Sequence, residues 1–167
     1  MVQADISIQL RDQRWKSLLR PYCKTVRAAC ESAIATSKLA KIPCQWEMAV
    51  VLADDAFVHD LNHTYRGKDK PTNVLSFPSI EKMESNAKRA TKGVNEFELG
   101  DVVLAFDTVE REAKEQNKKF KDHAVHLLVH GTLHLLGYDH EKDSEAKIME
   151  KMEVKILKQL GLSNPYL

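Results

Sequence analysis

Three histidines in the second half of the chain have the spacing of a metal site. His130 and His134 are four residues apart, and His140 follows within the sequence H-G-T-L-H-L-L-G-Y-D-H. Residues four apart lie on one face of an α-helix, about 5–6 Å apart, so both imidazoles can reach one ion. Gly137 can end that helix and let the chain bring His140 back to the same ion. The spacing therefore predicts a metal centre.

The histidine ligands indicate zinc, one ion per chain, with an open coordination position. Zinc binds imidazole nitrogens at about 2.0–2.1 Å in tetrahedral geometry, and three protein ligands leave the fourth position for water. The ion lowers the pKa of that water to about 7 and polarises the group that the water attacks. Core histidines spaced by chance are the alternative. An open zinc site predicts a metal-dependent hydrolase.

The residue after the first histidine argues against a peptidase. Metzincin peptidases share this ligand spacing, and in them a glutamate at that position acts as the base. Here the position is Gly131, which cannot accept a proton, so a peptidase or other metal-dependent hydrolase remains only an alternative. Glycine inside a helix costs about 0.5–1 kcal/mol relative to alanine. We therefore expect close approach of a substrate or of a neighbouring backbone at Gly131.

A second candidate site is the segment from Tyr65 to Asn73, which carries three positive charges against one negative charge. The guanidinium of Arg66 can hold two phosphate oxygens and stabilise charge that grows on phosphorus. Lys68 and Lys70 offer point charges to phosphates. An exposed turn with solvated charges is the alternative. The segment predicts a local anion-binding patch.

Composition and charge restrict the class of protein. The chain has 167 residues, 43% hydrophobic and 29% charged, with a net charge of +1. This size fits one domain, and so small a charge means that a polyanion must be met by a local patch. The sequence has neither a signal-peptide pattern nor an apolar run of about 18 residues, so we expect a cytoplasmic protein without a membrane partner. Three cysteines without CxxC pairs suit a reducing compartment, and Cys23 and Cys30 are predicted to be buried.

Apolar periodicity predicts the elements that position these residues. Alternating patterns predict two strands, at residues 4–10 and 46–52, and short apolar runs predict two more, at residues 74–77 and 100–106. Helical patterns predict about five helices, at residues 12–35, 54–65, 107–116, 122–136 and 143–160. Pro21 either kinks the first helix or marks its true start, and Pro78 favours an edge position for the third strand. The polar segment 79–98 is predicted to be a surface loop, with an inert role favoured over a functional one.

This order of elements predicts the fold class. We expect an α+β protein, a single domain over residues 1–167, with a small mixed four-stranded sheet surrounded by the helices. The helix at 122–136 is apolar on most sides and is therefore predicted to be buried. The metal site is expected at the C-terminal end of this buried helix.

Three stretches together resemble the bacterial YbeY family of rRNA maturation factors. They are RGKDKPTNVLSFP at 66–78, LGDVV at 99–103 and HGTLHLLGYDH at 130–140, and the resemblance covers about residues 45–155. It implies a zinc-dependent endoribonuclease that cleaves single-stranded RNA, matures the ends of small-subunit rRNA and acts in ribosome quality control. The implied partners are ribosomal RNA and the small ribosomal subunit or its associated proteins.

The resemblance also implies roles for individual residues. It makes three histidines the zinc ligands and one arginine the catalytic residue, namely His130, His134, His140 and Arg66. From the residues themselves, we expect Lys68 and Lys70 to bind neighbouring RNA phosphates. His126 either lines the approach to the metal or has a structural role behind the ligands, and Asp139 is expected to orient a ligand or the attacking water. The nucleophile is either water on the zinc or a ribose 2′-hydroxyl. A non-catalytic ribosome-assembly factor with a structural zinc is the remaining alternative.

Overall fold

The computed structural model describes residues 2–79 and 96–167. In these ranges it has four strands, β1 Gln3–Leu10, β2 Gln45–Ala53, β3 Val74–Pro78 and β4 Glu96–Ala105. Its α-helices are α1 Arg14–Leu18, α2 Tyr22–Thr36, α3 Asp55–Arg66, α4 Phe106–Glu115, α5 Phe120–Leu135 and α6 Asp143–Gln159, and a short 3-10 helix spans Lys38–Lys41. The predicted α+β class is confirmed.

The four strands form one mixed sheet, as predicted. The order is β1-β2-β4-β3, in which β1, β2 and β4 are parallel and β3 runs antiparallel to β4. The third strand lies at the edge and ends at Pro78, whose nitrogen has no hydrogen to donate to a further strand. The fourth strand begins at Glu96, so residues 96–98 are strand and not part of the predicted loop. The rest of that loop, residues 80–95, lies outside the described residues.

Pro21 marks the true start of a helix and not a kink. The predicted helix at 12–35 is two helices, because Pro21 occupies the N-cap of α2 and follows the short α1. Described residues therefore form six α-helices where about five were expected.

Of the two cysteines predicted to be buried, Cys30 is buried, but the prediction for Cys23 is wrong. Cys23 is exposed because it lies in the first turn of α2, beyond the end of the helix's buried stripe.

The buried helix α5 is the centre of the fold and carries two of the candidate ligands. It packs against α2, α4, α6, β3 and β4. Ala124, Leu128, Val129 and Leu133 on this helix are fully buried. The chain leaves the helix through Gly137, which has a φ of 94° that residues with a side chain rarely adopt. The amide of Tyr138 then donates to the carbonyl of Leu133 at 3.0 Å, so the helix ends where the spacing predicts.

The helix α3 places the cationic segment. Its N-cap is Asp54, whose carboxylate accepts from the amide of Phe57 at 2.8 Å. Its last residue is Arg66, and Gly67 follows with a φ of 63°. Arg66 therefore stands at the point where the chain turns from α3 toward the edge strand β3. Among the described helices none has the length and apolarity needed to span a membrane.

Candidate metal centre and its cleft

The structure brings the three predicted zinc ligands together. His130 and His134 lie one turn apart on α5, and His140 returns to them beyond the turn at Gly137. One side-chain nitrogen from each histidine lies within 4.8 Å of the other two. His130 and His134 are half-buried and His140 is exposed. The cluster therefore has a protein side and a solvent side, as an open metal site needs.

The hydrogen bonds of two imidazoles prepare their Nε2 atoms to bind an ion. The Nδ1 of His134 donates to the carbonyl of Tyr138 at 3.0 Å, and the Nδ1 of His130 donates to the carboxylate of Glu153. A ring that donates from Nδ1 and carries no second proton has a bare lone pair on Nε2. These two Nε2 atoms face each other at 3.1 Å, where two lone pairs repel unless a cation lies between them. Tetrahedral zinc separates its nitrogen ligands by about 3.3 Å, so the donor set fits this ion.

The protonation state of His134 also suits a ligand. Two causes lower its pKa from the ordinary value of 6.5 to about 4: first its burial, and second the nearby imidazoles of His130 and His140. The ring is therefore neutral at physiological pH. A neutral imidazole is the form that coordinates a metal.

Glu153 on α6 is a residue of the site that sequence reasoning missed. Its side chain is only 1% exposed, and it contacts the Nδ1 of His130, the Nε2 of His126 at 3.4 Å and the hydroxyl of Tyr166. Burial raises the pKa of this carboxyl, but hydrogen bonds from these three groups outweigh burial and lower the pKa to about 2. Glu153 is thus a buried carboxylate that holds the ring of His130 in one orientation. A signal existed, because this charged residue lies in the apolar stripe with Met149.

The two residues predicted to orient the ligands lie on different sides of the cluster. His126 faces Glu153, and its ring packs at right angles to that of Tyr166 with a centroid distance of 5.6 Å. Asp139 lines the cleft, and its carboxylate accepts from the backbone amide of His140 at 2.7 Å. His126 thus contacts the carboxylate partner of His130, and Asp139 contacts the backbone of His140.

The space left by Gly131 is filled by neighbouring side chains. A Cβ at this position would lie 2.8 Å from Cγ1 of Val102, 3.2 Å from Oγ of Ser76 and 3.2 Å from Cγ2 of Val74. The expected close approach is therefore real, but it comes from side chains of β3 and β4 and not from a backbone. The missing side chain lets the metal-bearing helix pack closely on the sheet.

Arg66 and the histidine cluster line the same cleft, which has a volume of about 680 Å³. The Nη2 of Arg66 donates to the carbonyl of Ser76 at 2.7 Å, while the hydroxyl of Ser76 donates to the carbonyl of Gly131 at 3.0 Å. Ser76 on the edge strand therefore connects the arginine to the metal-bearing helix. Lys68 also lines the cleft. Lys70 is exposed outside the lining residues, and its carbonyl accepts from Asn62 at 2.7 Å.

Comparisons with known proteins identify the family of the chain. The sequence profile of the family described as Endoribonuclease YbeY matches residues 8–161. Relatives named Endoribonuclease YbeY include one from Rhizobium etli, 44% identical over 99% of this chain and 95% of the relative, and one from Parvibaculum lavamentivorans, 51% identical over 86% and 76%. A relative of the same name from Magnetococcus marinus is 54% identical over 72% of this chain and 83% of the relative.

A solved structure shares the fold. It is the solution structure of a protein from Thermotoga maritima, which superposes with a TM-score of 0.54 over 93% of this chain and 91% of that chain, at 24% identity. At that identity the likeness supports the fold alone. The profile match and the three relatives cover most of the chain, and the chain therefore belongs to the YbeY family of endoribonucleases.

Proposed function

We propose that this protein is a zinc-dependent endoribonuclease that cleaves single-stranded RNA and matures the ends of small-subunit ribosomal RNA. The observation that carries the proposal is the cleft in which three convergent imidazoles face an arginine. The relatives named Endoribonuclease YbeY supply the substrate class and support the reaction.

The residues of the cleft would have different roles in phosphodiester cleavage. His130, His134 and His140 would hold zinc, which when bound supplies an electrophile that activates a nucleophile and polarises the phosphate. Arg66 uses one of its five N–H donors on the carbonyl of Ser76, and its other donors can hold the oxygens on which charge grows. The nucleophile is water or a ribose 2′-hydroxyl of the substrate. Arg66 is the proposed catalytic residue.

Contacts beyond the reacting phosphate would come from the two lysines. Lys68 lines the cleft, and Lys70 is exposed two residues further along the chain, so both are available to bind neighbouring phosphates of the RNA. The net charge of +1 gives little general attraction for RNA. Binding therefore depends on this local patch and on the small ribosomal subunit or its proteins, in the cytoplasm. We propose that residues 1–167 work as one domain.

The test combines zinc analysis with cleavage of a defined single-stranded RNA. His134→Ala should lose both zinc and cleavage, because it removes a ligand from the cluster. Arg66→Glu should keep zinc and lose cleavage, and Arg66→Lys should also be impaired, since an ammonium cannot reproduce the guanidinium fork. Arg27→Glu is the matched control, because Arg27 is exposed on α2 and lies outside the cleft lining.

Two results would contradict the proposal. One is cleavage at the wild-type rate by zinc-free protein. The other is full turnover by Arg66→Glu, which would leave a binding protein with a structural zinc as the better description. The control variant separates loss of the catalytic guanidinium from a general loss of positive charge.

A further inference from the structure

An exposed aromatic ring lies beside the proposed catalytic arginine. Tyr65 immediately precedes Arg66 at the end of α3, and 70% of its surface is exposed. Its ring meets the ring of Phe77 edge to face, with centroids 5.7 Å apart and planes at 69°. The guanidinium carbon of Arg66 lies 5.6 Å from the centroid of the same Phe77 ring. Phe77 therefore supports both the tyrosine and the arginine.

This aromatic pair lies on the face of the edge strand opposite to the cleft, because successive side chains of a strand point to opposite faces. Phe77 lies on the edge strand β3 between Ser76 and Pro78, and both of these neighbours line the cleft that contains the histidines. Arg66 links the two faces, because it lines the cleft and its guanidinium also contacts the Phe77 ring, so the ring of Tyr65 lies beside this arginine and outside the cavity. Its edge contact with Phe77 leaves most of the tyrosine ring open to solvent.

The charges around Tyr65 favour an anionic ligand. In the segment from Tyr65 to Asn73, the side chains of Arg66, Lys68 and Lys70 are exposed. The acidic residue of this segment, Asp69, accepts from the Nε2 of His59 at 2.6 Å, and this contact lowers its pKa. An exposed aromatic ring among cationic side chains is the arrangement with which proteins bind single-stranded nucleic acid, stacking on bases while the cations hold phosphates.

We propose that Tyr65 is a stacking platform for one nucleobase of single-stranded RNA, close to the phosphate that Arg66 holds. The inference rests on the proposed function and deepens it. It accounts for a single-strand preference, because a base in a duplex is already stacked and paired and cannot lie on the tyrosine. Every base has an aromatic face, so stacking on Tyr65 would discriminate unpaired from paired RNA more strongly than one base sequence from another.

The test measures RNA binding separately from cleavage. Fluorescence anisotropy with zinc-free protein gives the Kd for labelled 12-mers of adenylate and of uridylate, without turnover. Loss of one base stack weakens binding about 5- to 150-fold, so Tyr65→Ala should raise the Kd for oligoadenylate by that factor. Tyr65→Phe should bind like the wild type, because it keeps the ring. Thr64→Ala is the matched control, as Thr64 is exposed on the same turn and has no ring.

The choice of oligonucleotides and a kinetic assay add two further readouts. Adenine stacks more strongly than uracil, so a wild-type preference for oligoadenylate should shrink in Tyr65→Ala. In zinc-loaded protein the same variant should raise KM by a factor similar to the Kd change, with little change in kcat. A purely structural tyrosine would show no base dependence, although phenylalanine would rescue it as well.

The outcomes distinguish this inference from the proposed function. Equal Kd values and equal base preference in wild type and Tyr65→Ala would overturn the stacking role, even if both proteins cleave RNA. A wild type that binds but does not cleave refutes the proposed function, and the Kd ratio then still decides the stacking role. A wild type that binds neither oligonucleotide overturns both.

Discussion

Replacing Gly131 with alanine tests how closely the metal-bearing helix α5 must pack on the sheet. The new methyl carbon would lie 2.8 Å from Cγ1 of Val102 and 3.2 Å from Cγ2 of Val74. Carbon atoms prefer separations of about 3.5–4.0 Å, so both contacts are repulsive. Val102 is fully buried and β-branched, so its methyl group cannot rotate away easily. The helix or the strand must therefore shift.

The expected magnitude is the difference between two opposing effects. Overpacking a close-packed core costs about 1–3 kcal/mol, and the 2.8 Å contact with a buried side chain that cannot rotate away easily puts this site at about 2–3 kcal/mol. Alanine recovers about 1 kcal/mol relative to glycine through its higher helix propensity. We therefore expect Gly131→Ala to lower the free energy of unfolding by about 1–2 kcal/mol, which is roughly a 5- to 30-fold change in the unfolding equilibrium. For a chain of this size the Tm should fall by roughly 2–8 °C.

Urea unfolding of zinc-free protein measures this change without a contribution from metal binding. A double-mutant cycle with Val102→Ala identifies the cause, because that change removes the methyl carbon nearest to the new Cβ. In the Val102→Ala background, Gly131→Ala should become neutral or stabilising. A Gly131→Ala protein as stable as the wild type, or more stable, would refute the packing explanation for this glycine.

Three further predictions concern the zinc ligands and the cysteines. Glu153→Gln should lower zinc affinity about 10- to 100-fold, since the buried carboxylate no longer orients His130. Tyr166→Phe should give a smaller loss. Competition with a chelator measures both affinities, and values equal to that of the wild type would contradict these predictions. In zinc-free protein, the free energy of unfolding should fall as the pH decreases from about 6.5 to about 4, because the pKa of His134 is about 4 in the folded chain and 6.5 in the unfolded one. The unfolded chain binds more protons in this window, and urea midpoints that stay constant across it would disprove the assignment. Burial raises the pKa of Cys30 to about 12, so a thiol reagent should modify exposed Cys23 and spare Cys30 in the folded protein, as peptide mass spectrometry can show.

Most of the fold could be predicted because its signals are local. Apolar spacing places the helices, Asp54 caps α3, and Pro78 ends the edge strand. The start of β4 was predicted too late, although Glu96, Phe97, Glu98 and Leu99 already alternate between exposed and buried positions. The sequence could not decide whether Pro21 kinks one helix or starts a new one, and the structure shows two helices there.

By itself, the sequence determined which histidines could share an ion, because four-residue spacing on a helix and a glycine at its end are local geometry. The tertiary structure decided what surrounds them. Glu153 reaches His130 across 23 positions of the chain, and Ser76 joins the carbonyl of Gly131 across 55. Such contacts depend on how α6 and the edge strand β3 pack against α5, which no short-range pattern encodes. That packing orients the rings of His130 and His134, keeps His134 neutral and places all three histidines in one cleft with Arg66.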